Sequence, residues 1–121
     1  MTILDLEKKE RAERKLAEIA TAMLDGSLPY SEGAGLIVSA SLDADLDRDR
    51  DPDILPFIAI TSEVDRFPAP HTRHLWNREA LAKMQPEIDQ MEAWVKEFAE
   101  PFARNLLTRF AGVKRPPWSE F

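Results

Sequence analysis

A run of alternating aspartates is the segment of this sequence whose residue types and spacing come closest to a known chemistry. Residues 43–53 contain six aspartates and two arginines, a net charge of −4. Carboxylates at alternate positions are typical of a calcium-binding loop, which also needs glycine at its sixth position and a bidentate acid at its twelfth. Counted from Asp43, those positions hold Arg48 and Ile54, so the EF-hand pattern fails where it is most demanding.

The same run has simpler interpretations. Like charges at this density repel one another, which favours a solvated helix end and loop. The run could also dock onto a basic partner protein, and weak binding of a divalent cation remains a third alternative. The candidate partner-binding residues are Asp43, Asp45, Asp47, Asp49, Asp51 and Asp53.

Trp118 is a further candidate for partner binding. It follows two prolines near the C-terminus, where a chain is often loosely held. A Pro-Pro-Trp segment can anchor one protein on another through the large apolar surface of the indole. The alternative is a tail that docks on its own domain.

A second group of polar residues surrounds two histidines that are three positions apart, His71 and His74. With Glu63 and Asp65 nearby, the residue types would suit zinc or iron, or general acid–base catalysis. The spacing is diagnostic of neither, so we predict no metal and no catalytic residue. We instead expect a structural polar loop, whose charged side chains pair with one another and hold the loop backbone. Its members would be Ser62, Glu63, Asp65, Arg66 and Arg73.

The composition argues against several classes of function. The chain has no cysteine, which removes disulfides, thiolate zinc sites and cysteine nucleophiles and fits a reducing cytoplasm. A net charge of −6 argues against a general nucleic-acid binder, because such proteins neutralise phosphates with Lys and Arg. No phosphate loop or dinucleotide motif is present, so no cofactor is expected. The N-terminus runs straight into charge, and no apolar stretch approaches the roughly 20 residues of a membrane helix. We therefore expect a cytoplasmic protein that does not enter membranes.

Helical periodicity indicates the elements that would position these residues. A first helix is predicted from Thr2, its cap, to Asp25, with an apolar stripe in its second half and a charged first half that protrudes. A second helix is predicted from Ser27 or Leu28 to about Leu46. It leads directly into the aspartate run.

Two features of the middle of the chain have alternative interpretations. Gly33 and Gly35 weaken the second helix, and we interpret them as sites of close helix–helix approach, with a functional backbone contact as the alternative. Asp51 is predicted to cap a short third helix, although residues 57–61 could form a strand. Residues 62–72 are predicted to be an ordered loop.

The last third of the chain is predicted to be helical. Asn77 should cap a short helix through Met84, and Pro86 should open a long helix that ends near Gly112. Pro101 is expected to kink this helix without ending it. Apolar residues recur every three or four positions, so one face must be covered by other helices. This stripe consists of Ile88, Met91, Val95, Phe98, Phe102, Leu106 and Phe110.

These elements predict an all-α, single-domain bundle of four to five helices with a long, Pro-kinked C-terminal helix. The helical domain would cover residues 1–112, followed by an extended tail at 113–121. Trp76 and Trp94 have apolar neighbours on helical segments and are expected in the core.

A group of residues in the middle of the chain carries a resemblance to known proteins. It consists of Asp51-Pro52-Asp53, Leu55-Pro56-Phe57, Ser62-Glu63, Asp65, Pro68, Trp76 and Glu79-Ala80-Leu81. On these residues, the chain from about 26 to 110 resembles small bacterial proteins of unknown function, and this resemblance implies no activity. In size, acidity and lack of cysteine, the chain is also similar to cytoplasmic immunity proteins that neutralise bacterial toxins.

The acidic run therefore leads us to expect a non-catalytic protein-binding module that presents an acidic surface to a basic partner protein. The similarity to immunity proteins implies a finer form of this function, an inhibitor. The alternative is a small metal-binding protein or enzyme that uses Glu63, Asp65, His71 and His74. A homodimer through an exposed part of the long helix is a further alternative.

Overall fold

Four α-helices and one short 3₁₀ helix make up most of the chain in this computed structural model, which describes residues 2–112 apart from the side chains of Pro70 and His71. The helices are α1 (Ile3–Leu24), α2 (Tyr30–Asp43), α3 (Leu55–Val64) and α4 (Arg78–Phe110), with the 3₁₀ helix at Pro70–Leu75. The predicted all-α, single-domain fold with a long C-terminal helix is confirmed. No helix within residues 2–112 combines the length and the apolar character needed to cross a bilayer. The predicted tail, with Trp118, lies outside the described residues.

Helix α1 begins with the predicted cap. Thr2 Oγ1 accepts a hydrogen bond from the Asp5 N–H, and Asp5 Oδ2 accepts one from the Thr2 N–H, each at 3.2 Å. The predicted protrusion is limited to the first turn, where Leu4 is 75% exposed. Farther along, Ala12 is buried and Lys8 Nζ lies 3.4 Å from Asp43 Oδ1, so the rest of the charged half lies along α2.

Only one of the two glycines in α2 marks a close contact between helices. A Cβ added to Gly33 would lie 2.7 Å from Met23 Cγ, so the missing side chain lets α1 and α2 approach. A Cβ added to Gly35 would meet nothing within 4 Å, so the packing role predicted for it is wrong. Helix α2 ends at Asp43, earlier than predicted, because further aspartates at a helix C-terminus oppose the helix dipole.

Helix α3 starts later than predicted. It begins at Leu55 with Pro56 in its first turn, while Asp51 caps the preceding turn by accepting a hydrogen bond from the Asp53 N–H at 3.0 Å. Residues 57–61 are helical, and the strand alternative is wrong. The predicted loop at 62–72 is shorter at both ends, since residues 62–64 belong to α3 and the 3₁₀ helix starts at 70.

Helix α4 is one continuous element where two helices were predicted. Asn77 caps it as predicted, and both Pro86 and Pro101 lie inside it. Each proline removes one backbone hydrogen bond. Both are on the exposed side of the helix, where water can satisfy the carbonyl that is left free, so the helix continues.

The buried face of α4 differs from the predicted stripe by a small rotation. Ala99 and Ala103 are fully buried, whereas Phe98 is 39% exposed and Phe102 only partly buried. Small residues on a buried helix face let a neighbouring helix approach closely, and among the described elements α1 makes the largest interface of α4. The prediction that Trp76 and Trp94 are core residues is wrong, because they are 47% and 48% exposed.

Candidate functional site

The aspartate run is fastened to the end of α4 by one arginine. Arg109 Nη1 and Nη2 donate to the two carboxylate oxygens of Asp51, each at 2.9 Å, and Nη1 also donates to Asp53 Oδ2 at 2.8 Å. Asn105, one turn earlier on α4, donates through Nδ2 to Asp53 Oδ1 at 3.0 Å. We call these four residues the Arg109 clamp. A bidentate arginine–carboxylate pair fixes both the distance and the orientation of its partners.

The clamp holds two charges in a poorly solvated place. The side chains of Asp51 and Asp53 are only 10% and 12% exposed. The hydrogen bonds from Arg109 hold the pKa of Asp51 below its ordinary value, and the two aspartates raise the pKa of Arg109 in turn. Asp51 and Arg109 therefore stay charged near neutral pH, and the loop remains attached to α4.

From the last residue of α2 to the clamp, the chain makes a series of tight turns, and we call residues 43–49 the acidic loop. Asp45 has φ of 57°, a left-handed conformation that Asp tolerates better than most residues. Asp47 Oδ1 accepts a hydrogen bond from the Asp49 N–H at 3.1 Å, and the Asp51 N–H donates to the Asp47 carbonyl at 2.7 Å. These local bonds give the loop a defined shape.

The six candidate aspartates divide into two groups. Asp51 and Asp53 face Arg109, so they are not available to a partner. The other four are exposed, and of these Asp43 pairs with Lys8 and Asp47 with Arg50 at 3.9 Å. Within residues 2–112, the carboxylates of Asp45 and Asp49 have no ion pair or hydrogen bond.

The predicted structural polar loop forms differently. Ser62, Glu63, Asp65 and Arg66 are exposed, and Arg66 lies over the Phe67 ring at 4.9 Å instead of joining a buried network. Of the five predicted members, Arg73 alone holds the loop backbone among the described residues, through a hydrogen bond from Nε to the Pro68 carbonyl at 3.2 Å. The predicted network is therefore reduced to one residue, because the final turn of α3 carries its neighbours out to solvent.

Arg73 meets a carboxylate that the sequence did not suggest. Its Nη2 lies 3.8 Å from Glu92 Oε1 on α4, too far for a hydrogen bond, and Ser31 Oγ of α2 donates to that same oxygen. Nη2 is buried and has no hydrogen-bond partner among the described residues.

Beside Arg73 is a cleft of about 410 Å³ between α2, the end of α3 and the residues that follow it, which we call the Arg73 cleft. Gly35 lies on its α2 side. Its polar lining includes Glu32 and Asp65 as well as Arg73. Its apolar wall is formed by Leu36, Val64, Phe67, Pro68 and Met91. Apolar surface with a few convergent polar groups is typical of a binding site.

The alternative metal or catalytic cluster is not assembled in the part of the chain that the structure describes. Glu63 lies on the last turn of α3 and Asp65 follows it, while His74 is exposed on the 3₁₀ helix. Among the described residues, no group of three or more His, Asp or Glu side chains could hold a metal ion. The His71 side chain lies outside that description.

Comparisons with protein-family models, with curated proteins and with solved structures find no match for this chain. The resemblance to small bacterial proteins stays a prediction. The features of the molecule that bear on function are the acidic loop, the Arg109 clamp that holds it and the Arg73 cleft.

Proposed function

We propose that this chain is a non-catalytic protein-binding module that presents its acidic loop to a basic surface of a partner protein. The observation that carries the proposal is the Arg109 clamp. It fastens the chain directly after the acidic loop, and it leaves Asp45 and Asp49 exposed without a counter-charge inside residues 2–112.

The clamp supports binding because it fixes the loop before a partner arrives. A loop that is already ordered loses less conformational entropy on association than a mobile one. The exposed carboxylates would attract a positively charged surface over a distance and raise the association rate. The net charge of −6 adds to the same field.

The acidic character also favours one class of partner over others. Nucleic acids carry phosphates that these carboxylates would repel. A second copy of the chain would bring two acidic loops together, which disfavours a homodimer through this surface. An inhibitor of a basic protein is the finer form of the proposal, and the similarity to immunity proteins supports it.

The experiment first isolates a partner. It then compares the partner's affinity for the wild type with its affinity for a variant whose acidic loop has lost negative charge but keeps the hydrogen bonds of its turns. The immobilised protein captures partners from an extract of the cell that produces it, and calorimetry measures the affinity of each recovered protein. The loop variant carries Asp45→Asn, Asp47→Asn and Asp49→Asn, since asparagine keeps the side-chain acceptor and tolerates the left-handed conformation. The control variant removes three exposed carboxylates elsewhere, through Glu18→Gln, Glu87→Gln and Glu97→Gln.

The loop variant should bind at least about tenfold more weakly than the control, a difference of about 1.4 kcal/mol. The affinity of the wild type should fall as salt is added, because salt screens exposed charges. Equal affinities of the two variants for every recovered partner would reject this surface.

A further inference from the structure

The Arg73 cleft contains a hydrogen-bond donor that the described residues leave unsatisfied. Arg73 is held by Nε, but its buried Nη2 has no acceptor in residues 2–112 as far as the structure describes them, which leaves out the side chains of Pro70 and His71. Buried donors in folded proteins almost always have a partner, since an unsatisfied one destabilises the fold. Arg73 lines the cleft and its side chain as a whole is 26% exposed, so a small rotation of the guanidinium would present the covered Nη2 to an acceptor in the cleft.

Gly35 points to the same cleft independently. A glycine inside a helix weakens it relative to alanine, and Gly33 shows the usual compensation, a close contact with α1. Gly35 has no such compensation, because a Cβ there would meet nothing within 4 Å. Its missing side chain leaves the α2 backbone open to the cleft, an arrangement that suits the close approach of a ligand.

The remaining lining sets the chemistry of that ligand. The wall is largely apolar, which suits an aliphatic side chain. Arg73 is already near Glu92, whereas the carboxylates of Glu32 and Asp65 have no ion pair among the described residues. These two acids repel an anion and favour a positive charge, so the acceptor for Arg73 should be a neutral carbonyl.

The cleft and the acidic loop belong to one surface. Gly35, Ser39 and Asp43 are each four residues apart on α2, so they lie on the same face of the helix, and all are exposed. Gly35 and Asp43 are separated by about 12 Å along the helix, at roughly 1.5 Å per residue. A partner that contacts the acidic loop can therefore reach the cleft.

We propose that the Arg73 cleft binds a short segment of that basic partner, and this inference rests on the proposed function. One apolar side chain packs against the wall, and a flanking lysine or arginine lies beside Glu32 and Asp65. A backbone carbonyl of the segment accepts a hydrogen bond from the Arg73 guanidinium. The acidic loop attracts the partner, and the cleft selects it by the sequence of this segment.

The test titrates the full chain with each of three capped tripeptides. Binding is measured from the shifts of the amide resonances of the protein in nuclear magnetic resonance spectra. Acetyl-Lys-Leu-Lys-amide should bind with a dissociation constant of about 1 mM or tighter and should shift the resonances of Gly35, Leu36 and Val64. Acetyl-Lys-Ser-Lys-amide lacks the apolar side chain, and acetyl-Glu-Leu-Glu-amide reverses the charge. Both should bind at least about tenfold more weakly.

Two substitutions on α2 test the position of the site. Gly35→Leu puts a side chain into the cleft and should lower the affinity for acetyl-Lys-Leu-Lys-amide at least about tenfold. The control Leu42→Gln lies at an exposed position outside the cleft and should change this affinity less than about twofold. A normal melting temperature of Gly35→Leu would show that the fold is intact.

The outcomes separate this inference from the proposed function. The loop variant should keep its affinity for the peptide even though it loses the partner. Resonance shifts away from the cleft, equal binding of all three peptides, or full affinity of Gly35→Leu would overturn the cleft site. The proposed function of the acidic loop would then still be tested separately, by the partner affinity of the loop variant and its control.

Discussion

Replacement of Arg109 by methionine should lower the free energy of unfolding by about 2 kcal/mol near neutral pH. The change removes the hydrogen bonds to Asp51 and Asp53 and leaves two carboxylates, 10% and 12% exposed, without a counter-charge. Removing one partner of a fully buried ion pair costs about 3–5 kcal/mol. The Arg109 side chain is 36% exposed, so water screens the charges that remain and the expected cost is smaller.

Arg104→Met provides a matched control on the same helix. Arg104 pairs at 2.7 Å with Glu100, four residues away, and its side chain is 65% exposed. Such a surface pair contributes about 0.3–0.5 kcal/mol, and arginine and methionine have similar helix propensities.

Thermal and urea unfolding, followed by circular dichroism, should show Arg109→Met melting about 10 °C below the wild type and Arg104→Met within about 2 °C of it. Adding Asp51→Asn and Asp53→Asn to Arg109→Met should recover part of the loss, since no uncompensated charge is then buried. Equal losses for the two arginine variants would refute the clamp as a source of stability.

Three further predictions concern acid, glycine and the core. The pKa of Asp51 lies below its ordinary value of 3.8, chiefly because Arg109 donates hydrogen bonds to it. The ionised Asp51 therefore adds its full share to the free energy of unfolding above about pH 4, and this share is lost as pH falls through the lowered pKa. Urea unfolding across this pH range should show that the free energy of unfolding falls less steeply with pH for Arg109→Met than for the wild type. Parallel pH dependences of the two proteins would contradict this role of Asp51 and Arg109. Gly33→Ala should lower the melting temperature, because the added methyl group would collide with the Met23 side chain of α1. Gly35→Ala should raise the free energy of unfolding by up to about 1 kcal/mol, because its methyl group meets nothing. Changes in stability of the same sign for the two variants would contradict this contrast. Leu16→Ala, at a fully buried position, should cost about 2–5 kcal/mol in urea unfolding, and a loss below about 1 kcal/mol would place Leu16 outside the core.

The helices themselves could be predicted because their apolar spacing is long and regular. Leu16 in α1 and Val95 and Leu106 in α4 are fully buried, as their periodicity indicates. The same periodicity did not fix the rotation of α4, because positions 98 and 102 fit a three-to-four spacing as well as positions 99 and 103 do. The bundle buries the smaller alanines, and that choice depends on the shapes of the neighbouring helices.

Helix boundaries were less predictable where proline was involved. The cost of Pro86 depends on whether the carbonyl it leaves free faces water or the core. In α4 it faces water, and the helix continues. When a helix is expected both before and after a proline, the sequence alone does not show whether the proline lies on the exposed or the buried face of one continuous helix.

The candidate site was the least predictable part of the molecule. The aspartate run is visible as composition, but Arg109 is 58 residues from Asp51 and 56 from Asp53. With 16 basic and 22 acidic residues in the chain, a pair at that separation has no local signal. The contact between Arg73 and Glu92 was missed for the same reason, and acids nearer in sequence were expected instead.

Hydrogen–deuterium exchange of the chain, with and without a recovered partner, tests most directly whether the acidic loop is the binding surface. Partner binding should slow exchange at residues 43–49, with the exposed face of α4 around Trp94 and Phe98 unchanged. Protection confined to that face of α4, with the acidic loop exchanging as it does in the free protein, would contradict the proposed function.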